Sequence, residues 1–412
     1  MRRRDLRHAD LPIQHPPDRA EVDAEVAERP HQVETRRGRG VVQPVTGLGT
    51  TGRRQHTRVG VEPDRPHREA GAAGQFADRV EGAVVHAVHF QGSSQWRLNR
   101  IIIEEFAVSR SVDLPDGWEP AVRAAVAQAR PDLAGGPLRP LGAGFESVAL
   151  LLEAGAGAYV LRFPRNEDGA EGIACETRLL PELAEWLDLP IPRFAFTAPN
   201  PLGPGTFCCY PVVPGESLSE DEWHARGLLD EPDPVRQIAE AIEAIHSFPV
   251  ERARQLGVPE VDLRSEFAGD LELVRAHVAP LLPSAQASTL LSAYEDYLAE
   301  DANFDAPPTL THADISLDHF LITGTRVTGL IDFGDVCIGD PDYDLCYLWP
   351  ETNREFVRRL QEHRGRPLDS RLEAKLRFWA LADPATDVLH GIENDLPDVR
   401  DEGLRLLGTL LA

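Results

Sequence analysis

Residues 310–345, LTHADISLDHFLITGTRVTGLIDFGDVCIGDPDYDL, constrain the fold of this chain more than any other part of its sequence. Two histidines and a series of aspartates surround two short apolar runs, HFLIT and VTGLIDF, whose length and β-branched residues are typical of strands. Segments with helical periodicity flank the stretch on both sides. The sequence therefore predicts a carboxylate-rich loop and two short strands, inserted between helices.

The rest of the sequence divides into a strand-rich part and a helical part. Residues 137–213 alternate apolar runs with Gly- and Pro-containing turns, and they contain one helical segment, GIACETRLLPELAEWL. From residue 214 onward the spacing becomes helical, as in PVRQIAEAIEAIHSF, where Val235, Ile238, Ile242 and Ile245 share one face. We expect an α+β fold in which a small antiparallel sheet with one packed helix precedes a mostly helical region.

Residues 1–108 differ from both of these parts. They are rich in Arg, Gly, His and Pro and show little hydrophobic periodicity. Such a segment buries too little apolar surface to offset the conformational entropy of the chain, so we predict disorder there. An upstream reading frame joined through a wrong start is the alternative, and we assign no function to the segment.

Charge and composition limit the class of partner. Residues 1–112 carry 18 Arg against 15 Asp and Glu, whereas residues 113–412 carry 24 Lys and Arg against 52 Asp and Glu. The acidic second part argues against nucleic acid, whose phosphates need a basic surface, and fits a cationic small ligand or a solubilising surface. Without a long apolar run, a secretory signal or a C-x-x-C pair, we expect a cytoplasmic monomer with free thiols and no membrane partner.

The motif H-x-D-x(4)-H at 312–319, followed by I-D-F-G-D at 331–335, resembles the catalytic and metal-binding loops of the aminoglycoside phosphotransferase family. The resemblance is closest to the branch that phosphorylates the 2″ hydroxyl, and it covers roughly residues 115–410. It implies a two-lobed protein-kinase-like fold, with a nucleotide-binding N-lobe and linker strand at 109–213 and a helical C-lobe at 214–412. It also implies ATP or GTP as co-substrate and Mg²⁺ as cofactor. The G-x(4)-G-K-[ST] loop is absent, which excludes a P-loop enzyme.

The resemblance assigns roles to the residues of the two loops. Asp314 is expected to accept or orient the proton of the substrate hydroxyl, and Asp332 to chelate the Mg²⁺ that bridges the phosphates. His319 stands where the family more often has an Asn metal ligand. It either coordinates the metal or packs against the metal loop, because Mg²⁺ prefers oxygen. His312 is expected to buttress the loop, and Gly334 to permit the tight turn after Asp332.

The nucleotide side is marked by weaker motifs. Gly142 and Gly144 lie between two predicted strands, where backbone amides either approach phosphates or form a plain hairpin turn. Arg162, in YVLRFPR, stands where kinases carry the phosphate-binding Lys, and it still supplies a positive charge and a fork of donors. Glu176 is its expected helix partner, with an ordinary surface Glu as the alternative.

The segment FCCYPVVPGESL resembles the linker between the lobes. The backbone N–H and C=O groups of Cys209, Tyr210 and Val212 are expected to bind the edge of the purine there. Their side chains matter less, and the adjacent cysteines are expected to pack in the core.

Six residues are candidates for the substrate pocket: Asp335, Tyr347, Glu351, Trp379, Asp387 and Glu393. Asp335 either faces the substrate or helps Asp340 and Asp344 to shape the loop. The last three lie in FWALADPATDVLHGIENDL, which resembles the substrate-facing helices of the family but is also consistent with a solvated helix face.

The predicted function is transfer of the nucleotide γ-phosphate to a hydroxyl of an aminoglycoside antibiotic, which gives resistance by modification. Two alternatives stay open: a kinase of the same fold for a macrolide or a small hydroxylated metabolite, and a nucleotide-binding protein without catalysis. Arg162 is the only feature that supports the last alternative. The sequence shows neither an APE-type segment nor an evident activation loop, which disfavours a protein kinase.

Overall fold

The computed structural model describes residues 114–144, 146–155 and 157–412. The disorder predicted for residues 1–108 lies outside these residues. The strands are β1 (Leu138–Ala143), β2 (Ser147–Ala154), β3 (Gly157–Pro164), β4 (Phe196–Pro199), β5 (Thr206–Pro211), β6 (Thr309–Thr311), β7 (Phe320–Thr323), β8 (Arg326–Leu330) and β9 (Cys337–Gly339). The α-helices are α1 (Trp118–Ala129), α2 (Glu167–Leu183), α3 (Glu220–Ala225), α4 (Pro232–His246), α5 (Val250–Leu256), α6 (Leu263–Leu273), α7 (Ser284–Ala299), α8 (Leu348–Glu351), α9 (Arg354–His363), α10 (Ser370–Glu393) and α11 (Pro397–Leu410).

Five antiparallel strands form the strand-rich lobe, in the order β1-β2-β3-β5-β4. Because side chains alternate between the two faces of a strand, neighbours on β3 enter different clusters. Leu161 packs with Val122 of α1, whereas Val160 packs with Ile173 of α2. The predicted antiparallel sheet is confirmed, but two helices rather than one pack on it.

Helix α2 begins at Glu167, five residues before the segment with helical periodicity. The side chain of Asn166 accepts a hydrogen bond from the Gly169 N–H at 2.8 Å and so caps the first turn. Gly169 itself is buried against the Glu146 carbonyl, where a Cβ would lie only 2.3 Å from that oxygen. The cap and this close approach fix the start of the helix on the sheet.

The linker after β5 pairs with the β7–β8 hairpin through one antiparallel bridge. Glu216 pairs with Ile322, since each residue donates its N–H to the carbonyl of the other, at 2.9 and 2.8 Å. Gly215 has φ 126°, and a Cβ there would lie 2.6 Å from Thr328 Oγ1. Only glycine therefore fits at the point where the strand-rich lobe joins the helical lobe.

The helical lobe has one large apolar core, to which α4 contributes Ile238, Ile242 and Ile245 as predicted. The two apolar runs of the acidic stretch form β7 and β8, which pair with each other, whereas β6 pairs with β9. All five cysteines of the chain are buried and free, as expected. No helix within the described residues has the length and apolar character needed to cross a membrane.

Candidate active site

The loop between β6 and β7 is held by a buried carboxylate from the end of the acidic stretch. Asp344 Oδ1 accepts the Ala313 N–H at 2.7 Å, and Asp344 Oδ2 accepts the His312 N–H at 3.3 Å. His246 of α4 contacts the same Asp344 Oδ2 at 2.8 Å. Burial opposes ionisation of Asp344, but the bond to His246, the charges of His246 and His312 and the bond from the Ala313 N–H together outweigh it and keep the pKa of the carboxyl below its usual value. Asp344 therefore shapes the loop that carries Asp314.

Two residues beside the loop adopt left-handed backbone conformations that are unusual outside glycine. Ala313 has φ 65° and Asp332 has φ 63°. Such conformations cost on the order of 1–3 kcal/mol and persist only where the surrounding structure enforces them. The turn that follows Asp332 includes Gly334, as predicted, because the Val336 N–H donates to the Phe333 carbonyl at 3.4 Å, whereas the left-handed residue is Asp332 itself.

Asp314, His319 and Asp332 converge at the junction of the two loops, as the motif predicts. His319 Nδ1 lies 2.8 Å from the Asp314 carbonyl oxygen and 3.6 Å from Asp314 Oδ2. His319 Nε2 lies 3.8 Å from Asp332 Oδ2 and 4.0 Å from Asp318 Oδ1. Asp314 and His319 are almost fully buried, whereas the side chain of Asp332 is one third exposed. The ring of His319 thus bridges three carboxylates.

The two histidines of the motif differ in charge. Burial alone would lower the pKa of His319, but the carboxylates of Asp318, Asp314 and Asp332 together raise it to about 10. Burial lowers the pKa of His312 to about 4, and the nearby charge of His319 adds to the effect. Asp332 stays ionised: burial opposes this, but Arg162 and then His319 hold its pKa below the usual value. The ring of His319 is thus paired with these carboxylates, and its coordination of a metal stays a prediction.

Arg162 of β3 and Glu176 of α2 form a buried ion pair next to Asp332. Arg162 Nη1 lies 2.9 Å from Glu176 Oε2 and 3.1 Å from Glu176 Oε1, and Arg162 Nη2 lies 3.7 Å from Asp332 Oδ1. Burial raises the pKa of Glu176 although Arg162 opposes this. The predicted pairing of Arg162 with Glu176 is therefore present in the structure.

The charges of this cluster fit a divalent cation. Taken as ionised, the carboxylates of Glu176, Asp314, Asp318 and Asp332 outnumber the cations of Arg162 and His319 by two. Within the residues that the structure describes, no group of three or more His, Cys, Asp or Glu side chains closes around one point. Mg²⁺ keeps several waters and is usually held by one or two carboxylates together with substrate phosphates, so such an open acidic site suits it.

Of the two glycines predicted to lie between the first strands, Gly142 is part of β1 and Gly144 directly follows it, and both have space around them. The register shifts between Pro140 and Gly142, and the Gly144 N–H donates to the Ser147 carbonyl at 2.9 Å. A Cβ at Gly142 would meet nothing within 4 Å, and one at Gly144 only the Ser147 oxygen at 3.8 Å. The fold itself does not require glycine at either position, so their role in phosphate binding stays a prediction.

The linker strand has fewer free backbone groups than expected. The Cys209 carbonyl accepts the Ala195 N–H at 2.7 Å, and the Val212 N–H donates to the Ala158 carbonyl at 3.0 Å. These groups of Cys209 and Val212 are therefore occupied in this conformation. Tyr210 is buried, and its ring meets that of Phe194 edge to face. Purine binding by this segment stays a prediction and rests on its other backbone groups.

A cleft of about 300 Å³, open to solvent, lies between the segment after the acidic stretch and α10. Its lining residues are Phe267, Tyr343, Cys346, Tyr347, Pro350, Trp379, Ala380 and Asp383. Burial raises the pKa of Tyr347, and the charges of Asp383 and Asp314 both contribute to the shift. Tyr347 is therefore within electrostatic range of both Asp314 and Asp383, so the cleft lies near the loop.

The candidates for the substrate pocket separate into two groups. Tyr347 and Trp379 line the cleft. Glu351 is buried and differs from expectation, because its Oε2 accepts the Leu317 N–H at 2.8 Å and so braces the loop. Asp387 lies nearly buried on α10, and Glu393 is exposed at the end of that helix. Glu393 is ten residues beyond Asp383, roughly 15 Å along the helix.

Asp335 lies in the turn between β8 and β9. Burial raises the pKa of the nearby Cys337 thiol to about 12, and the charge of Asp335 contributes a smaller part of that rise. It is half-buried and is absent from the lining of the cleft within the described residues. Its predicted contact with substrate stays untested.

Asp383 and Lys375 are the important residues that the sequence analysis missed. Asp383 lies one turn after Trp379 and directly before Pro384, which lies inside α10, and this unusual Asp-Pro inside a helix was the available signal. Lys375, the single lysine of the chain, is fully buried. Its Nζ lies 2.6 Å from Asp340 Oδ2 and 2.8 Å from Asp342 Oδ2, so it ties α10 to the end of the acidic stretch.

A five-stranded lobe joined through a linker strand to a helical lobe, with an Arg–Glu pair facing an aspartate loop, defines a protein-kinase-like fold. The profile of the phosphotransferase enzyme family matches residues 137–387. The chain belongs to this family, whose model is designated APH.

Solved structures agree with this assignment. The chain is similar to the GDP and kanamycin complex of an APH(2″) enzyme, with 30% identity, a TM-score of 0.64, and coverage of 70% of this chain and 97% of that one. It is also similar in fold to a streptomycin–ATP–APH(2″)-IIa ternary complex, with 20% identity, a TM-score of 0.54, and coverage of 72% and 97%. A macrolide 2′-phosphotransferase from Brachybacterium faecium, solved as the apoenzyme, is likewise similar in fold. It has 23% identity and a TM-score of 0.54, with coverage of 66% of this chain and 92% of that one. No curated protein sequence matches the chain.

Proposed function

We propose that this protein transfers the γ-phosphate of ATP or GTP to a hydroxyl group of an aminoglycoside, with Mg²⁺ as cofactor. The observation that carries the proposal is the cleft beside Asp314, which combines aromatic walls with the carboxylate of Asp383. Relatives with this fold have been solved with kanamycin, gentamicin and streptomycin. The proposal places the nucleotide between the lobes 109–213 and 214–412.

The loop residues have separate tasks in this reaction. Phosphoryl transfer depends mainly on positioning and on neutralisation of charge, so Asp314 has only to orient the acceptor hydroxyl and take its proton. Arg162, fixed by Glu176, presents its second nitrogen towards Asp332 and the space where phosphates would lie. Asp344 and Glu351 hold the backbone of the loop through Ala313 and Leu317.

The metal would be held mainly by Asp332, with His319 fixing the orientation of that carboxylate. When bound, Mg²⁺ supplies positive charge to the phosphate oxygens. His319 Nε2 lies 3.8 Å from Asp332 Oδ2 and 4.0 Å from Asp318 Oδ1, so its ring already contacts the carboxylates of the site. We therefore assign His319 first to the ion-pair network of the loop.

The chemistry of the cleft favours a cationic substrate. Among the described residues that line it, none is Lys, Arg or His. Asp383 supplies a carboxylate, and Ala380 supplies a carbonyl to which Pro384, lacking an N–H, cannot donate the usual helical hydrogen bond. Negative acceptors over aromatic rings suit an ammonium group, which binds both by charge and by cation–π attraction.

A macrolide kinase is the second candidate. The aromatic wall of Phe267, Tyr343 and Trp379 also suits a large apolar ring, and macrolide phosphotransferases share the fold. The two candidates differ in what Asp383 should do, because a macrolide offers far less positive charge than an aminoglycoside.

A coupled assay of nucleotide turnover with kanamycin, gentamicin, a macrolide and simple alcohols as acceptors tests the proposal. Asp383→Asn keeps the shape of the side chain and removes its charge. We expect its KM for kanamycin to rise about 10-fold or more, since charge-assisted hydrogen bonds are worth about 1.5–3 kcal/mol. The KM for ATP or GTP should remain unchanged.

Asp296→Asn is the matched control, because Asp296 is an exposed carboxylate on α7 of the same lobe. It should leave both KM values unchanged. Turnover with the macrolide alone would favour the second candidate. An absence of turnover with every acceptor would refute the phosphotransferase proposal for these substrates.

A further inference from the structure

Helix α2 packs into two separate cores. In its first half, Ile173 joins Val160, Cys208 and Tyr210 on one face of the sheet. In its second half, the buried apolar residues belong to the core of the helical lobe: Cys175, Leu179, Leu180 and Leu183. Glu176 lies where the helix passes from one core to the other. The helix therefore connects the two lobes through its own packing.

A second set of contacts fixes the far half of α2 to α5. Arg178 Nε donates to the Leu256 carbonyl at 2.6 Å. That carbonyl belongs to the last turn of α5, whose carbonyls have no partner within the helix and carry partial negative charge. The guanidinium of Arg178 thus caps α5 from a neighbouring helix, as basic side chains do at helix C-termini.

The end of α5 is shaped to receive this side chain. Gly257, the C-cap residue, has φ 84°, and a Cβ there would lie 2.8 Å from Arg178 Nη2. Glu182, one turn after Arg178, pairs with Arg252 of α5 through two bonds of 2.6 and 2.8 Å. Two consecutive turns of α2 are therefore bonded to the same short helix of the helical lobe.

We propose that Arg178 is a positioning residue for the nucleotide site, which acts by holding α2 so that Glu176 stays paired with Arg162. Arg162 comes from the sheet, whereas the second half of α2 is anchored in the helical lobe. The ion pair can persist only if the helix keeps its place between the lobes. The hydrogen bond from Arg178 to α5 holds α2 in this position within the chain itself, with no need for a phosphorylated residue or a partner protein.

This inference rests on the proposed function, because it takes Arg162 to bind the phosphates of the nucleotide. It goes beyond that function in assigning a long-range role to a residue that faces away from the cluster of loop carboxylates. Arg178 is exposed, so a role limited to surface solvation is the competing explanation. The two explanations differ in whether substitution changes nucleotide affinity.

Arg178→Met tests the proposal, since it retains the apolar stem and removes the donor. Calorimetric titration with ATP and with GTP, each with Mg²⁺, should show a rise in Kd of about 3- to 20-fold, the range usual for coupling residues outside a site. Arg178→Lys, which can still reach a carbonyl, should recover part of the loss. The second comparison is made in a Glu176→Gln background, where Arg178→Met should have no further effect on Kd because its route of action is already broken.

Arg236→Met is the matched control, because Arg236 is a surface arginine of α4 whose ion pairs, among the described residues, are with Asp233 and Glu240 of its own helix. Its Kd should equal that of the wild type. An unchanged Kd in Arg178→Met, or equal fold-changes in the two backgrounds, would overturn the positioning role while leaving the proposed function intact. A wild-type protein that binds neither nucleotide would overturn both.

Discussion

The loop around Asp314 and the cleft beside α10 lie next to each other but are built in opposite ways. In the loop, backbone amides are held by the buried carboxylates of Asp344 and Glu351, and charges of both signs are interleaved. In the cleft, aromatic side chains from three distant parts of the chain surround a space to which Asp383 contributes the carboxylate. Hydrogen bonds to the backbone fix the geometry of the loop, whereas mainly aromatic side chains form the walls of the cleft.

This difference matches the demands of the two halves of the reaction. Phosphoryl transfer needs atoms held within narrow limits, and the left-handed backbone of Ala313 and Asp332 shows how strongly the loop is constrained. Recognition of an acceptor needs a surface that can differ between relatives without disturbing the chemistry. The comparison teaches that substitutions in the loop should act mainly on kcat, and those in the cleft mainly on the KM of the acceptor.

Asp314→Ala should have the largest effect on activity. Loss of a general base typically lowers the rate about 10²- to 10⁴-fold, and we expect kcat to fall by that amount. Nucleotide Kd should stay near the wild-type value, because the carboxylate faces the acceptor and not the phosphates. Steady-state kinetics and nucleotide titration check both expectations, and a kcat within a few-fold of wild type would remove Asp314 from the proposed mechanism.

Lys375→Met should have the largest effect on stability, because Lys375 joins the two regions. Its removal leaves Asp340 and Asp342 without their buried cation, and breaking one partner of such a pair typically costs about 3–5 kcal/mol. Denaturant unfolding should show this loss. The triple variant Lys375→Met, Asp340→Asn, Asp342→Asn should recover much of it, because no unpaired charge remains buried. An unfolding midpoint of Lys375→Met equal to that of the wild type would contradict the assignment.

The same contrast decides what the sequence could predict. The loop residues lie within one continuous motif, so the resemblance to the phosphotransferase family points directly to Asp314, His319 and Asp332. The same resemblance implies the pairing of Arg162 with Glu176. The cleft is assembled from residues as far apart as Phe267 and Asp383, and no local pattern marks them as neighbours. Of the three candidates from the last helices, Trp379 lines the cleft, whereas Asp387 and Glu393 are not among its lining residues in the described part of the chain.

Local chemistry also set limits inside the predicted segments. Glu351 was placed in the substrate pocket from its position after the loop, but its buried carboxylate has a backbone amide to satisfy, and this decided its direction. The extent of α2 was misjudged because Asn166 caps a first turn that lacks apolar periodicity. In both cases a hydrogen bond, invisible to periodicity, determined the outcome.

His390 gives the smallest predicted effect and tests the comparison most finely. Burial in α10 lowers its pKa to about 4, whereas the loop keeps its buried His319 charged. Because the unfolded chain binds a proton near pH 6.5, the native state loses stability as the pH falls from about 6.5 to 4, by on the order of 3 kcal/mol at most. His390→Leu should remove this component, so the stabilities of wild type and variant, measured by urea unfolding, should diverge from pH 7 to pH 4 in favour of the variant. His363→Leu, at an exposed position on α9, serves as the control. If the unfolding stability of wild type and His390→Leu changed with pH in parallel, the charged form of His390 would be as well stabilised in α10 as that of His319 is in the loop. The predicted difference between the two regions would then be wrong for this residue.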